Sequence, residues 1–123
     1  AFVMDFVGLS TRLTGKVVDT TAERITIKTA HGLVIAPGKF AKGTEVTIGV
    51  RPELIRTEPG ENTLSVTLAD AMVLGSKTQL HARAEDPDRL LCELPGMRSS
   101  FAPGEIVTFG WSVADTLVYE AKT

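Results

Sequence analysis

The sequence predicts an all-β fold, a barrel or sandwich built from two related β units, and three observations carry that prediction. Apolar residues recur at every second position through several short runs, the pattern of half-buried strands rather than of helices. Glycine, proline, asparagine and aspartate cluster between those runs, where they set turns. An eleven-residue stretch recurs at a constant offset of 61, which implies two copies of one structural unit. No helical periodicity extends beyond two turns.

Residues 1–12 form a mixed leading segment with an apolar opening in Phe2, Val3, Met4, Phe6 and Val7. Val17 and Val18 follow Gly15, and Arg24-Ile25-Thr26-Ile27-Lys28-Thr29 alternates with its isoleucines on one face. Ala30-His31-Gly32 is a tight connection, so Leu33-Val34-Ile35-Ala36 is expected to return as a hairpin that Pro37-Gly38 ends. Glu45 to Val50 alternates again, with Val46, Ile48 and Val50 inward, and stops at Pro52, which has no amide hydrogen for a neighbouring strand. Turn formers at residues 58–62 mark the best internal boundary, giving units of about 1–57 and 63–119 within a single domain of 1–123. Beyond it, Leu64 to Gly75 is one bent strand or two. Thr78 to Glu85 sets Leu80, Ala82 and Ala84 opposite Gln79, His81 and Arg83, and Asp86-Pro87-Asp88 turns the chain into a strand from Arg89 to Leu94. Glu105 to Trp111 is a further strand, and Thr116 to Tyr119 a short tail.

The repeat lays Phe40-Ala41-Lys42-Gly43-Thr44-Glu45-Val46-Thr47-Ile48-Gly49-Val50 on Phe101-Ala102-Pro103-Gly104-Glu105-Ile106-Val107-Thr108-Phe109-Gly110-Trp111, with six of eleven positions identical. Val46, Ile48 and Val50 fall on Val107, Phe109 and Trp111, so core falls on core. Gly43 and Gly104 stand where a type II turn needs positive φ. Upstream, Ala36-Pro37-Gly38 answers Leu94-Pro95-Gly96. The copies diverge where Arg51-Pro52-Glu53 meets Ser112-Val113-Ala114, so a charged corner is expected in the first unit alone.

Composition excludes several function classes. A formal net charge of −2, from 13 Lys and Arg against 15 Asp and Glu, with no basic run, removes the main requirement for a nucleic-acid surface. Cys92 is the single cysteine, which rules out an internal disulfide and a cysteine-based zinc site, fits a reducing compartment, and reads as a small core residue. No apolar run approaches the roughly 20 residues of a membrane-spanning helix, so a soluble chain is expected. His31 and His81 are the only histidines, and there is neither a nucleophile elbow nor a phosphate-binding glycine loop with its lysine. The expectation is therefore no catalytic, cofactor or metal residue in this chain. Its start at Ala1 reads as a piece excised from a longer protein, with removal of an initiator methionine as the alternative.

Phe6-Val7-Gly8, Gly15-Lys16-Val17 and above all Gly49-Val50-Arg51-Pro52-Glu53 resemble the C-terminal regulatory domain of ATP-binding-cassette importer ATPases, the transport-associated oligonucleotide/oligosaccharide-binding (TOBE) domain. Phe6, Val7, Gly8, Leu13, Gly15 and Val17 match the family pattern, while Thr11 stands where an asparagine is usual. The resemblance implies an OB-like barrel and a parent importer ATPase of the spermidine/putrescine, iron or sugar type. A nucleotide-binding domain with ATP and Mg would precede Ala1. It further implies a regulatory and dimerisation role with a second copy of the ATPase subunit and membrane-spanning permease subunits as partners, on the cytoplasmic face of a bacterial plasma membrane. Nucleic acid is not among the expected partners. Arg51, Pro52 and Glu53, with Asp5 and Phe6, are the candidate regulatory or interface residues. The alternative is a small-ligand module for oxyanions, similar to the molybdate-binding tandem β-domains.

Overall fold

A computed structural model describes residues 11–85, 88–97 and 100–120. Nine strands are formed among them: β1 (Thr11–Thr20), β2 (Arg24–Thr29), β3 (Gly32–Pro37), β4 (Glu45–Val50), β5 (Asn62–Leu74), β6 (Lys77–Ala82), β7 (Leu90–Pro95), β8 (Ile106–Trp111) and β9 (Leu117–Glu120). They build two antiparallel sheets, in the orders β3-β2-β1-β4-β9 and β7-β6-β5-β8. Two curled sheets around one core give the OB-like barrel or sandwich of two related units that the sequence predicts.

The alternation of the sequence is the alternation of burial. Ile25 and Ile27 of β2, Val46, Ile48 and Val50 of β4, and Phe109 and Trp111 of β8 all lie in the core, while Val107 is half-buried. The paired registers match strand for strand: Leu13 faces Ile48 in the first sheet as Leu64 faces Phe109 in the second. Both long strands carry a bulge at the same point of that register, between Val17 and Asp19 and between Leu68 and Asp70. The bulge bends each strand so that one end pairs with the hairpin and the other with the fourth strand. Residues 64–75 are thus one bent strand. The turns before β4 and β8 are alike, with Thr44 N–H donating to Ala41 O (3.1 Å) and Glu105 N–H to Ala102 O (3.2 Å). Gly43 and Gly104 sit at φ 92° and 89°, the positive φ a type II turn demands at its third residue.

One detail differs from the reading of the sequence. Pro37 comes three residues after Val34, which faces Ile27, but Pro95 comes five residues after Leu90, which faces Ala82. Both ladders hold six pairs, but the second is displaced by two residues relative to its long strand, so the two Pro-Gly pairs end their ladders at different heights. Gln79, on the strand face opposite Leu80, is buried as well, with its Nε2 donating to Glu93 Oε2 (3.1 Å) and its Oε1 meeting the His81 ring (3.3 Å).

The units are exchanged at their ends. β9 comes from the end of the chain but pairs with β4, through Ile48 opposite Val118. In return Arg56, which follows β4, bridges to Gly110 of β8, with both backbone bonds at 2.9 Å. Gly110 permits this approach: a Cβ there would collide with the carbonyl oxygen of Glu58 and come within 2.7 Å of Gly60 N. Gly110→Ala is expected to cost about 1–3 kcal/mol or more in denaturant unfolding, the range for forcing atoms into a packed site. Gly43→Ala, with open space around its Cβ, is expected to cost only the roughly 1–2 kcal/mol of a left-handed backbone.

Candidate functional site

The charged corner is a single 3-10 turn, Pro52–Leu54, that begins as soon as β4 ends. Arg51 is still extended (φ −69°, ψ 133°), and Pro52 takes the first helical position, where its fixed φ fits and its missing N–H is not needed. Leu54 N–H donates to Arg51 O (3.0 Å) and Ile55 N–H to Pro52 O (3.2 Å), which turns the chain towards the second sheet. Arg51 and Glu53 pair with each other at 3.7 Å, their side chains 72% and 51% exposed. Such a pair contributes about 0–1 kcal/mol, so folding gives little reason for these two charges. Pro52 is half-buried. Asp5 and Phe6 lie outside the described residues.

The backbone of this corner occurs twice. Val113–Asp115, 61 residues on from Pro52–Leu54, is also a 3-10 turn, with Asp115 N–H to Ser112 O and Thr116 N–H to Val113 O, both 3.1 Å. There Val113 has an N–H, and it donates to Glu61 Oε1 at 2.9 Å. Pro52 has no such hydrogen to give. The corner geometry is thus common to both units, and what is particular to the first is its exposed Arg–Glu pair.

Polar clamps between the units were not legible as such in the sequence. Asn62, at the start of β5, accepts the Ile35 N–H (2.7 Å) and donates to Ile35 O (2.8 Å), gripping the edge of β3 in the other sheet. Thr11, which occupies the same register at the start of β1, accepts the Leu91 N–H (2.9 Å) and donates to Leu91 O (2.8 Å), gripping β7. A single hydroxyl there meets both backbone groups. Thr116, after the second corner, accepts from Trp111 Nε1 (2.9 Å) and Asn62 Nδ2 (3.3 Å) and donates to Ser112 O (3.1 Å). Its counterpart Ile55 is gripped through its carbonyl, which accepts from Cys92 Sγ at 3.1 Å. Cys92 is fully buried, a core residue as expected.

An open groove of about 640 Å³ lies between the turn of the first hairpin and residues 83–85 and 88, lined among others by Thr14, His31, Arg83, Glu85 and Asp88. Asp88 Oδ1 accepts both the Thr14 N–H and the Thr14 hydroxyl at 2.9 Å. An oxyanion there would meet Arg83, but also two carboxylates. On the outer face of the first sheet Lys16 stands directly opposite Lys28 on one side and Glu45 on the other, so its charge is already half compensated. Among the described residues no group of three His, Cys, Asp or Glu is placed to hold a metal ion, and no helix is long and apolar enough to cross a membrane.

Known proteins match this chain in three ways. A sequence model of the TOBE domain matches residues 48–118, which include the charged corner, the end of β4 and all of β8. The spermidine/putrescine import ATP-binding protein PotA of Rubrobacter xylanophilus is 38% identical over 98% of the chain, and that of Ruegeria pomeroyi 34% identical over 94%. The chain spans about a third of the length of these curated relatives, 34% of each. Among solved structures, the cytoplasmic molybdate-binding protein ModG superposes with a TM-score of 0.73 over 89% of this chain and 95% of its own, at 12% identity, a likeness of fold.

Three outcomes are expected. Thr11→Val leaves the N–H and C=O of Leu91 without their buried partner and should cost about 1–3 kcal/mol in denaturant unfolding, whereas Arg51→Ala should change stability by less than about 1 kcal/mol. The His81 ring is held below its ordinary pKa by burial, opposed by Asp70 directly across the ladder and reinforced by Arg89. A His neutral in the fold and protonated more readily when unfolded favours unfolding as pH falls below about 6.5. Unfolding free energies at pH 7.5 and 5 should therefore differ less in His81→Gln than in the parent.

Proposed function

This chain belongs to the TOBE domain family, and on that premise we propose that it is the regulatory and dimerisation domain of the ATP-binding subunit of an importer, of the spermidine/putrescine type. The observation that carries the reading is identity at 38% along 98% of the chain with a protein named for spermidine/putrescine import. The chain accounts for 34% of that relative's length, so ATP and Mg would be bound by the part of the parent outside these residues. The residues present do not fit a nucleotide phosphate, since no glycine loop ends in lysine followed by serine or threonine. In this reading residues 1–123 are one domain of a longer chain, on the cytoplasmic face of the plasma membrane beside permease subunits.

A β-domain appended to a motor changes the motor only by binding differently to its states. The exposed Arg51–Glu53 pair is the feature suited to that task, because it is charged, fixed in direction by Pro52 and dispensable to the fold. Asp5 and Phe6 are proposed to act with it. The reading predicts that the full-length protein dimerises in analytical ultracentrifugation with ATP, and that Arg51→Ala, still folded, changes dimer stability or polyamine uptake. A full-length protein that stays monomeric with ATP contradicts the dimerisation role; unchanged assembly and uptake in the variant contradict a role for the corner.

The fold shared with a molybdate-binding protein raises an oxyanion module as the competing reading. Glu85 and Asp88 in the groove weigh against it. Thermal melting with molybdate, tungstate or sulfate is expected to be flat, whereas a ligand at about 100 times its dissociation constant would add roughly 2.7 kcal/mol.

A further inference from the structure

The groove beside the first hairpin holds charges that the fold does not use. One wall is the turn of the first unit, Ala30 and His31, with Thr14 of β1; the other is the stretch that leaves β6, residues 83–85, with Asp88. Arg83 and Glu85 line the same space, yet among the described residues neither side chain makes an ion pair. Asp88 is held differently. Its Oδ1 accepts both the N–H and the hydroxyl of Thr14 at 2.9 Å, which fixes the carboxylate across the two units and leaves Oδ2 for another donor. At about 640 Å³ the space falls within the roughly 300–1,000 Å³ of small-molecule sites.

One guanidinium facing two carboxylates selects a ligand by its charges. An inorganic oxyanion would be drawn to Arg83 and repelled by Glu85 and Asp88. A diamine would match both carboxylates but bring two cations beside Arg83 and offer the guanidinium nothing. A neutral amino acid matches Arg83 and one carboxylate, and leaves the second unmatched. A ligand with one carboxylate and two ammonium groups meets all three, and a carboxylate is the planar partner that a guanidinium can bind through two N–H groups at once. Ala30 and Ala84, which also line the groove, give a short aliphatic stem an apolar surface and room to lie on it.

We propose that this groove binds a basic amino acid of the lysine type, with its α-carboxylate on Arg83, its two ammonium groups on Glu85 and Asp88 Oδ2, and its stem over Ala30 and Ala84. Each unit supplies one wall, so occupancy ties the stretch after β6 to the first hairpin. The site shares no residue with the charged corner; it goes beyond the dimerisation role and does not rest on it. Arg83 and Glu85 are exposed, so water and salt weaken both contacts. A dissociation constant of about 1 mM is the expected scale.

The probe is L-lysine, titrated into this chain at constant ionic strength and followed by amide NMR. Cadaverine, which lacks the carboxylate, and L-norleucine, which lacks the side-chain ammonium, are its controls. Lysine is expected to shift the amide signals of Thr14, Ala84 and Glu85 along a saturating curve, and each control to bind about tenfold more weakly. Arg83→Gln should abolish the preference for lysine over cadaverine, and Glu85→Gln the preference over norleucine; both residues are exposed, so neither substitution threatens the fold. The proposal is overturned by linear or absent shifts at those amides, by equal affinity for the three ligands, or by a lysine preference that survives both substitutions. Tighter binding of cadaverine than of lysine would overturn it too, since the groove would then be a diamine site.

Discussion

The fold depends on a reciprocal grip between two units that neither could supply alone. The first residue of each long strand reaches across to the third strand of the other unit: Asn62 holds Ile35, and Thr11 holds Leu91. Each corner then hands the chain over to the opposite sheet, β9 to β4 and Arg56 to β8. A buried amide or hydroxyl without its partner costs more than a made hydrogen bond returns, so these clamps penalise separation of the sheets more than they reward contact. That is how two small β units, each with too little core to be stable by itself, become one domain.

Much of this was legible because one side of each strand is apolar. The inward set Val46, Ile48 and Val50, and its counterparts on β8, follow from alternation alone, and the type II turns follow from glycine at the third turn position. The exchange was not legible. Asn62 sits among turn formers and reads as one of them, Thr11 reads as part of a nondescript leading segment, and a buried hydrogen bond to a distant strand leaves no local mark. The burial of Gln79 was not legible for a related reason: a polar residue is buried when Glu93 and His81 stand ready to bond it, and that pairing is a property of the hairpin.

The charged corner changes meaning once its second copy is seen. A proline that stops a strand is not particular to the first unit, since Val113–Asp115 turns the same way without one. What remains particular is an arginine and a glutamate, half or more exposed, bonded to each other and to little else that folding needs. The regulatory role proposed above assigns recognition to this exposed charge pair.

The central claim, that the clamps make the two units one cooperative body, is tested most directly by amide hydrogen exchange in Asn62→Leu. That substitution removes a contact to β3 of the first sheet from a residue of the second. If the units share one unfolding event, protection should fall by the same factor at Ile27 and Ile48 of the first sheet and at Leu80 and Phe109 of the second. Loss of protection confined to β3 and its neighbours, with the second sheet unchanged, would contradict it.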